Sequence, residues 1–185
     1  NRITVDGDTS TNDTLLCLAG GTGDAYIDNK ATLAVFQDLL EKVCQDMAKQ
    51  IVRDGEGATK VVQITVKGAA TKADAFKAAE AIAHSNLVKT AVYGEDPNWG
   101  RIASTIGASG IACDDDTLTI NYDDLLIYST KFRELDKVRK DKAYKIMKQE
   151  RFKVTCDIGL GDASYTSYGC DLSYEYVKIN AEYRT

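Results

Sequence analysis

Histidine, proline and tryptophan each occur only once in this 185-residue chain, as His84, Pro97 and Trp99. With one imidazole, any Ser-His or Cys-His catalytic pair and any histidine-rich metal centre would have to hang on a single ring. That ring stands in AEAIAHSN, where it reads as a structural residue at a helix end, and no metal site is expected. The five cysteines Cys17, Cys44, Cys113, Cys156 and Cys170 form no C-x-x-C pair. An odd number cannot all be paired within one chain, so reduced thiols and a cytoplasmic setting are expected, or the mitochondrial matrix in a eukaryote. No window approaches eighteen consecutive apolar residues, and the first residues lack the basic, apolar, small-residue order of a secretory signal; no membrane partner is expected. Basic excess is missing as well: 23 Lys and Arg face 28 Asp and Glu, for a net charge of −5. Such a field repels phosphate backbones and argues against nucleic acid. No internal repeat, low-complexity tract or Pro/Gly/Ser linker divides the chain, so residues 1–185 read as one unit.

What is present is regular patterning. Between Thr32 and Arg53, Leu33, Phe36, Leu39, Leu40, Val43, Met47 and Ile51 recur at helical spacing, and Gly55 stands where a C-terminal cap belongs. KVVQITVKG alternates Val62, Ile64 and Val66 with polar residues, as a strand with one buried face does. Thr71 with Asp74 opens a second helix whose slim face is Ala75, Ala78, Ala79 and Ile82. VKTAVYG is expected to be a strand, WGRIASTIGASG a short helix closed by Gly110, and TLTINYDDLLIYS two strands around an acidic turn. A charged helix follows, and FKVTCDIGL and YGCDLSYEYVKIN are expected to end the chain as strands. The sum is an α/β or α+β protein, with helices covering mixed sheets.

Several stretches are candidates for chemistry. AGGTGDAY has neither the G-K-[ST] ending of a phosphate loop nor the G-x-G-x-x-G spacing of a dinucleotide site, and reads as a surface loop. Adjacent aspartates in CDDDT point in different directions, which suits a solvated turn better than a cation. GEDPNWGR joins Asp96, Pro97, Asn98, Trp99 and Arg101 at a handover into a helix. Two readings stand level there: a helix N-terminus receiving a carboxylate with help from Arg101, or a rigid corner packed around Trp99. In RDGEGATK, Glu56 lies between two glycines, leaving room for close approach, although an exposed glutamate in a turn is the default. The tail YVKINAEYRT reads as a last strand and a short polar end.

Four stretches, NRITVDGDTSTNDT, DGEGATK, SNLVKTAVYGEDPNWGRI and CDLSYEYVKINAEYRT, together resemble the β chain of the glutamate N-acetyltransferase family, also called ornithine acetyltransferase. The resemblance runs from the first residue to the last. It implies an αββα-type layered sandwich of the self-processing N-terminal-nucleophile-like kind, completed by an α chain cut from the same precursor, in an α2β2 or larger assembly. It also implies that the nucleophile is a threonine at the cleavage point, a few tens of residues upstream of Asn1, so no catalytic residue is expected in this chain. The implied reaction moves acetyl from N-acetylornithine to glutamate in arginine biosynthesis, without a cofactor; acetyl-CoA is a further candidate substrate.

Carried over residue by residue, the family's substrate contacts fall on Glu56, Asn180 and Thr185. Glu56 is expected to face the ornithine ammonium, with Asn180 and Thr185 giving neutral polar contacts. The stretches VDGDTSTND and DPNWGR are expected to be scaffold, with Asp6, Asp8 and Asn12 bonding a turn. Two other classes stay open: a related self-processing amidohydrolase or aminopeptidase, in which water replaces glutamate, and a noncatalytic scaffold for another chain.

Overall fold

The structure, a computed structural model, describes residues 2–183. Along the chain run α1 (Lys30–Arg53), β1 (Val61–Ala69), α2 (Lys72–His84), α3 (Asn86–Tyr93), α4 (Trp99–Ala108), β2 (Thr119–Tyr122), β3 (Leu125–Tyr128), α5 (Lys137–Met147), β4 (Arg151–Asp157), β5 (Ala163–Cys170) and α6 (Tyr174–Glu182). The strands form one mixed sheet in the order β3-β2-β4-β1-β5. β1 and β4 are parallel, with Val61 opposite Arg151, and the remaining pairs are antiparallel. The architecture is the mixed α+β one expected: among the described residues, six helices and one five-stranded mixed sheet. None of their helices is long and apolar enough to cross a membrane.

Alternation in β1 does what the sequence pattern requires. Val62, Ile64 and Val66 join Ala75, Ala78, Ala79 and Ile82 of α2 in one buried cluster. The alanines let helix and sheet approach closely; at Gly169 of β5 a Cβ would already meet Ala83 Cβ at 3.6 Å. Burying each larger apolar side chain of that cluster contributes about 1.5–3 kcal/mol. Thr71 caps α2 by accepting from the Asp74 amide at 3.1 Å while its hydroxyl donates to the Asp74 carboxylate at 2.7 Å.

Two expected strands are helices. VKTAVYG lies in α3, although Val88, Thr90 and Val92 favour strands by their branching. Ser85 caps the helix through the Val88 amide, and Thr90 Oγ1 donates back to the Asn86 and Leu87 carbonyls at 2.8 and 3.1 Å. Val88, Lys89, Ala91 and Val92 are the residues it buries, a helical spacing that the β-branched composition masked. The tail is the second case: β5 ends at Cys170, and YEYVKINAE forms α6. Ser173 caps α6 through the Tyr176 amide at 3.2 Å, and only Tyr176 and Ile179, one helical turn apart, are half-buried.

The long helix α1 forms as expected, capped by Asn29, whose side chain accepts from the Ala31 and Thr32 amides at 2.9 and 3.0 Å. Its apolar stripe, however, is uncovered. Leu33, Phe36, Leu39, Leu40, Val43, Met47 and Ile51 are between 41% and 56% exposed, and only Val52 is buried, against Val61 and Tyr168. The preceding Leu15, Leu16 and Leu18 are more exposed still.

Candidate substrate-binding site

The loop that follows α1 carries Glu56. Asp54 closes the helix, and the Gly55 amide donates to the Val52 carbonyl at 3.3 Å. The left-handed backbone lies at Gly57, with φ of 65°, not at the expected cap Gly55. Gly57 is also where α6 comes closest: a Cβ there would overlap the Tyr176 backbone nitrogen and meet Ser173 Oγ at 2.8 Å. Ser173 Oγ donates to the Gly57 carbonyl at 2.7 Å while accepting from the Tyr176 amide, so one hydroxyl caps α6 and fastens it to the Glu56 loop.

With α6 docked this way, Asn180 Nδ2 donates to Glu56 Oε2 at 2.8 Å and to the Tyr176 carbonyl at 3.0 Å. Both residues are solvent-facing, so they are reachable. Two of the three expected substrate contacts therefore meet, and it is the helical form of the tail that brings Asn180 to Glu56. The third, Thr185, lies outside the described residues.

Acidic groups gather on this side. Tyr176 hydroxyl donates to Asp6 Oδ2 at 3.0 Å. Partial burial, then that bond and the charges of Asp6, Asp8 and Glu56, push the Tyr176 phenol above its ordinary pKa. Asp6 Oδ1 also accepts from the Asp8 amide at 2.9 Å, which is the turn expected of VDGD. Asn12 belongs to a second local turn, its amide donating to Ser10 Oγ at 3.1 Å.

Sequence reasoning missed Asp171, which is only 3% exposed. Its Oδ1 accepts from the Thr59 and Lys60 amides at 2.8 and 2.9 Å, and its Oδ2 from Thr59 Oγ1 at 2.6 Å. Lys60 Nζ in turn pairs with Glu95 at 3.0 Å. The sequence shows only an aspartate directly after strand β5, and its partners lie more than a hundred residues away.

In GEDPNWGR the rigid corner is what forms. Trp99 stacks on Tyr128 with ring centroids 4.1 Å apart, and Arg101 donates to the Leu87 carbonyl at 2.6 Å and to Thr90 Oγ1 at 3.1 Å. Arg101 thus holds α3 against α4 and does not aim at an incoming carboxylate. CDDDT is a turn: Asp115 accepts from Tyr128 hydroxyl and from Arg133 at 2.9 Å. AGGTGDAY is an exposed loop, and His84 ends α2 with Nε2 3.5 Å from Glu80. Among the described residues no group of three His, Cys, Asp or Glu side chains is arranged to hold a metal ion. A cleft of about 430 Å³ between the N-terminal segment and α1, lined by Arg2, Leu15, Glu41, Met47, Ile51 and Tyr168 among others, includes neither Glu56 nor Asn180.

A sequence profile of the ArgJ family matches residues 1–185. The chain belongs to the ArgJ family. It is 50% identical over 185 residues to the arginine biosynthesis bifunctional protein ArgJ of Wolinella succinogenes, covering all of this chain and 46% of that protein. It is 46% identical over 189 residues to the glutamate N-acetyltransferase of Methanopyrus kandleri, again over all of this chain and 48% of that protein. The crystal structure of the arginine biosynthesis bifunctional protein ArgJ from Bacillus halodurans superposes with a TM-score of 0.87 at 39% identity, covering 98% of this chain and 86% of that one. The chain spans about half the length of the family relatives it matches.

Proposed function

We propose that this chain is the β part of a glutamate N-acetyltransferase that moves acetyl from N-acetylornithine to glutamate, a step of arginine biosynthesis. Family membership and the names of the relatives support the reaction class. The observation that carries the substrate assignment is the 2.8 Å bond between Asn180 and Glu56, which joins two residues 124 positions apart at one reachable place. Glu56, with Asp6 and Asp8 nearby, offers negative charge to the side-chain ammonium of ornithine. Asn180 offers neutral polarity to the parts that both amino acids share. Such a division suits two substrates of opposite end charge, because a buried unpaired charge would penalise one of them.

The nucleophile in this proposal is a threonine at the start of the β chain, upstream of Asn1. Its α-amine, with a pKa of about 8, takes the hydroxyl proton at neutral pH, so no histidine is required. The hydroxyl oxygen attacks the acetyl carbonyl, the C–N bond breaks, and the departing ornithine amine takes up the proton. Hydrogen-bond donors of the α chain hold the oxyanion. The amine of glutamate then attacks the acetyl-threonine ester, the acyl C–O bond breaks, the proton lost by that amine returns through the threonine α-amine to the threonine hydroxyl, and N-acetylglutamate leaves. The cycle uses no cofactor, and acetyl-CoA would enter as an alternative acetyl donor.

The α chain also accounts for the uncovered stripe of α1. A contiguous apolar face from Leu33 to Ile51, together with Leu15, Leu16 and Leu18, is what a large partner buries. Two such heterodimers would make the α2β2 assembly.

The test uses the full-length gene product mixed with N-acetylornithine and glutamate, with products and intact chain masses followed by mass spectrometry. N-acetylglutamate, with an acetyl mass on a chain that begins at threonine, is the expected result. Acetate alone would indicate an amidohydrolase; neither product, with no chain beginning at threonine, would indicate a scaffold.

A further inference from the structure

The geometry points to Asp171 as the positioning residue of the site: its carboxylate fixes the Glu56 loop against α6, so that Glu56 and Asn180 meet the substrate in one register. The inference rests on the proposed roles of Glu56 and Asn180 and adds what holds them in place.

Asp171 stands in the three-residue link between β5 and α6, and its carboxylate is buried. Each oxygen is committed to the other wall of the site: Oδ1 to the Thr59 and Lys60 amides at 2.8 and 2.9 Å, Oδ2 to the Thr59 hydroxyl at 2.6 Å. A buried carboxylate bonded in this way is costly to leave partly satisfied, so both segments are held to one relative placement. Glu56 lies three residues before Thr59, and Asn180 lies on the helix that begins three residues after Asp171. The second fastening, from Ser173 Oγ to the Gly57 carbonyl, sits between them. Glu56 itself is exposed on a glycine-flanked loop, and among the described residues its side chain is held by the bond from Asn180. Its position is therefore set through the backbone, which Ser173 holds at Gly57 and the buried Asp171 carboxylate holds through three bonds at Thr59 and Lys60. Small misplacements at a site of this kind have large kinetic effects.

Asp171→Asn keeps size and shape but turns one acceptor oxygen into a donor facing N–H or O–H groups. Thr59→Val removes only the 2.6 Å hydroxyl bond and serves if the first variant folds poorly. Both are made in the full-length, self-processed enzyme, alone and combined with Glu56→Gln, and KM is measured separately for N-acetylornithine and glutamate. The expected result is a rise of about tenfold or more in KM for N-acetylornithine, with a smaller change for glutamate and little further rise when Glu56→Gln is already present. Equal losses for both substrates, or losses that add fully to those of Glu56→Gln, would reduce Asp171 to a stabilising residue and leave the Glu56 assignment intact. If Glu56→Gln alone shows no preference between substrates, the Glu56 assignment fails instead. The positioning is then decided by amide exchange at residues 55–60, which Asp171→Asn must accelerate for it to stand.

Discussion

Asn180 Nδ2 donates to the Glu56 carboxylate at 2.8 Å, joining helix α6 to the loop after α1 across 124 positions of sequence. The direction of that bond matters, because a carboxylate can only accept and an amide can supply the proton. Asn180→Asp would replace it with two carboxylates in contact, beside Asp6 and Asp8. Like charges at this distance raise the pKa of one member, so the variant should lose activity at neutral pH and recover part of it as the pH falls. The ratio of kcat/KM at about pH 6 and pH 8 for N-acetylornithine reads this directly, and a variant that keeps the wild-type profile would show that the pair is not electrostatically linked to binding.

Gly57 and Gly55 flank the same glutamate but differ in what a methyl group would meet. Gly57 has φ of 65°, and an added Cβ would overlap the Tyr176 backbone. At Gly55 a Cβ would meet the Val5 methyls at 2.9 and 3.1 Å and the Val52 carbonyl oxygen at 3.1 Å, but the backbone is not left-handed there. Gly57→Ala should therefore be the more damaging, since left-handed backbone alone costs an alanine about 1–2 kcal/mol and the clash adds to it. Thermal denaturation should rank the two variants, with Gly57→Ala lower and Gly55→Ala nearer the wild type.

The elements with clean periodicity were legible in the sequence: α1 from its apolar spacing, β1 from alternation, α2 from Thr71 and its alanine face. The two errors share a cause. In α3, Val88, Thr90 and Val92 carried a strand composition, yet Ser85 and the bond from Arg101 to the Leu87 carbonyl settle a helix. In α6 the reading of YGCDLSYEYVKIN as one alternating strand concealed a helix capped by Ser173. Caps, not side-chain composition, decided both segments. Of the site, Glu56 and Asn180 came from the family resemblance, and no local pattern shows that they touch. Asp171 was illegible because a buried carboxylate is recognised only by partners that the fold supplies from the far end of the chain.

Trp99 stacks on Tyr128 at 4.1 Å, and Pro97 is buried beside the start of α4. With scaffold as the role expected of that corner, its loss should appear in stability and not in substrate preference. Trp99→Ala is expected to cost about 3 kcal/mol, the scale of removing a large aromatic from a packed site. The KM values of the two substrates should keep their wild-type ratio in whatever fraction stays folded. A selective change in one of them would return GEDPNWGR to the list of substrate contacts.

Cys156 is fully buried in β4, and burial raises its thiol from 9.0 to about 12, so the folded protein holds the proton more tightly than the unfolded chain does. The sign follows from linkage: a raised folded pKa gives stability that is complete below the unfolded value of about 9 and is lost as pH climbs toward the folded value. Tyr122, buried in β2 and also shifted upward, acts in the same direction. Denaturant midpoints should therefore fall between about pH 9 and pH 11, and fall less steeply in Cys156→Ala even though that variant is less stable at neutral pH. Thiol labelling gives the structural half of the test. Exposed Cys113 should react at once, while Cys156 and Cys170 should react only on unfolding, since a buried thiol with a raised pKa presents almost no thiolate. Rapid labelling of Cys156 in the folded protein would mean that β4 opens readily, and the alkaline loss of stability would then need another source.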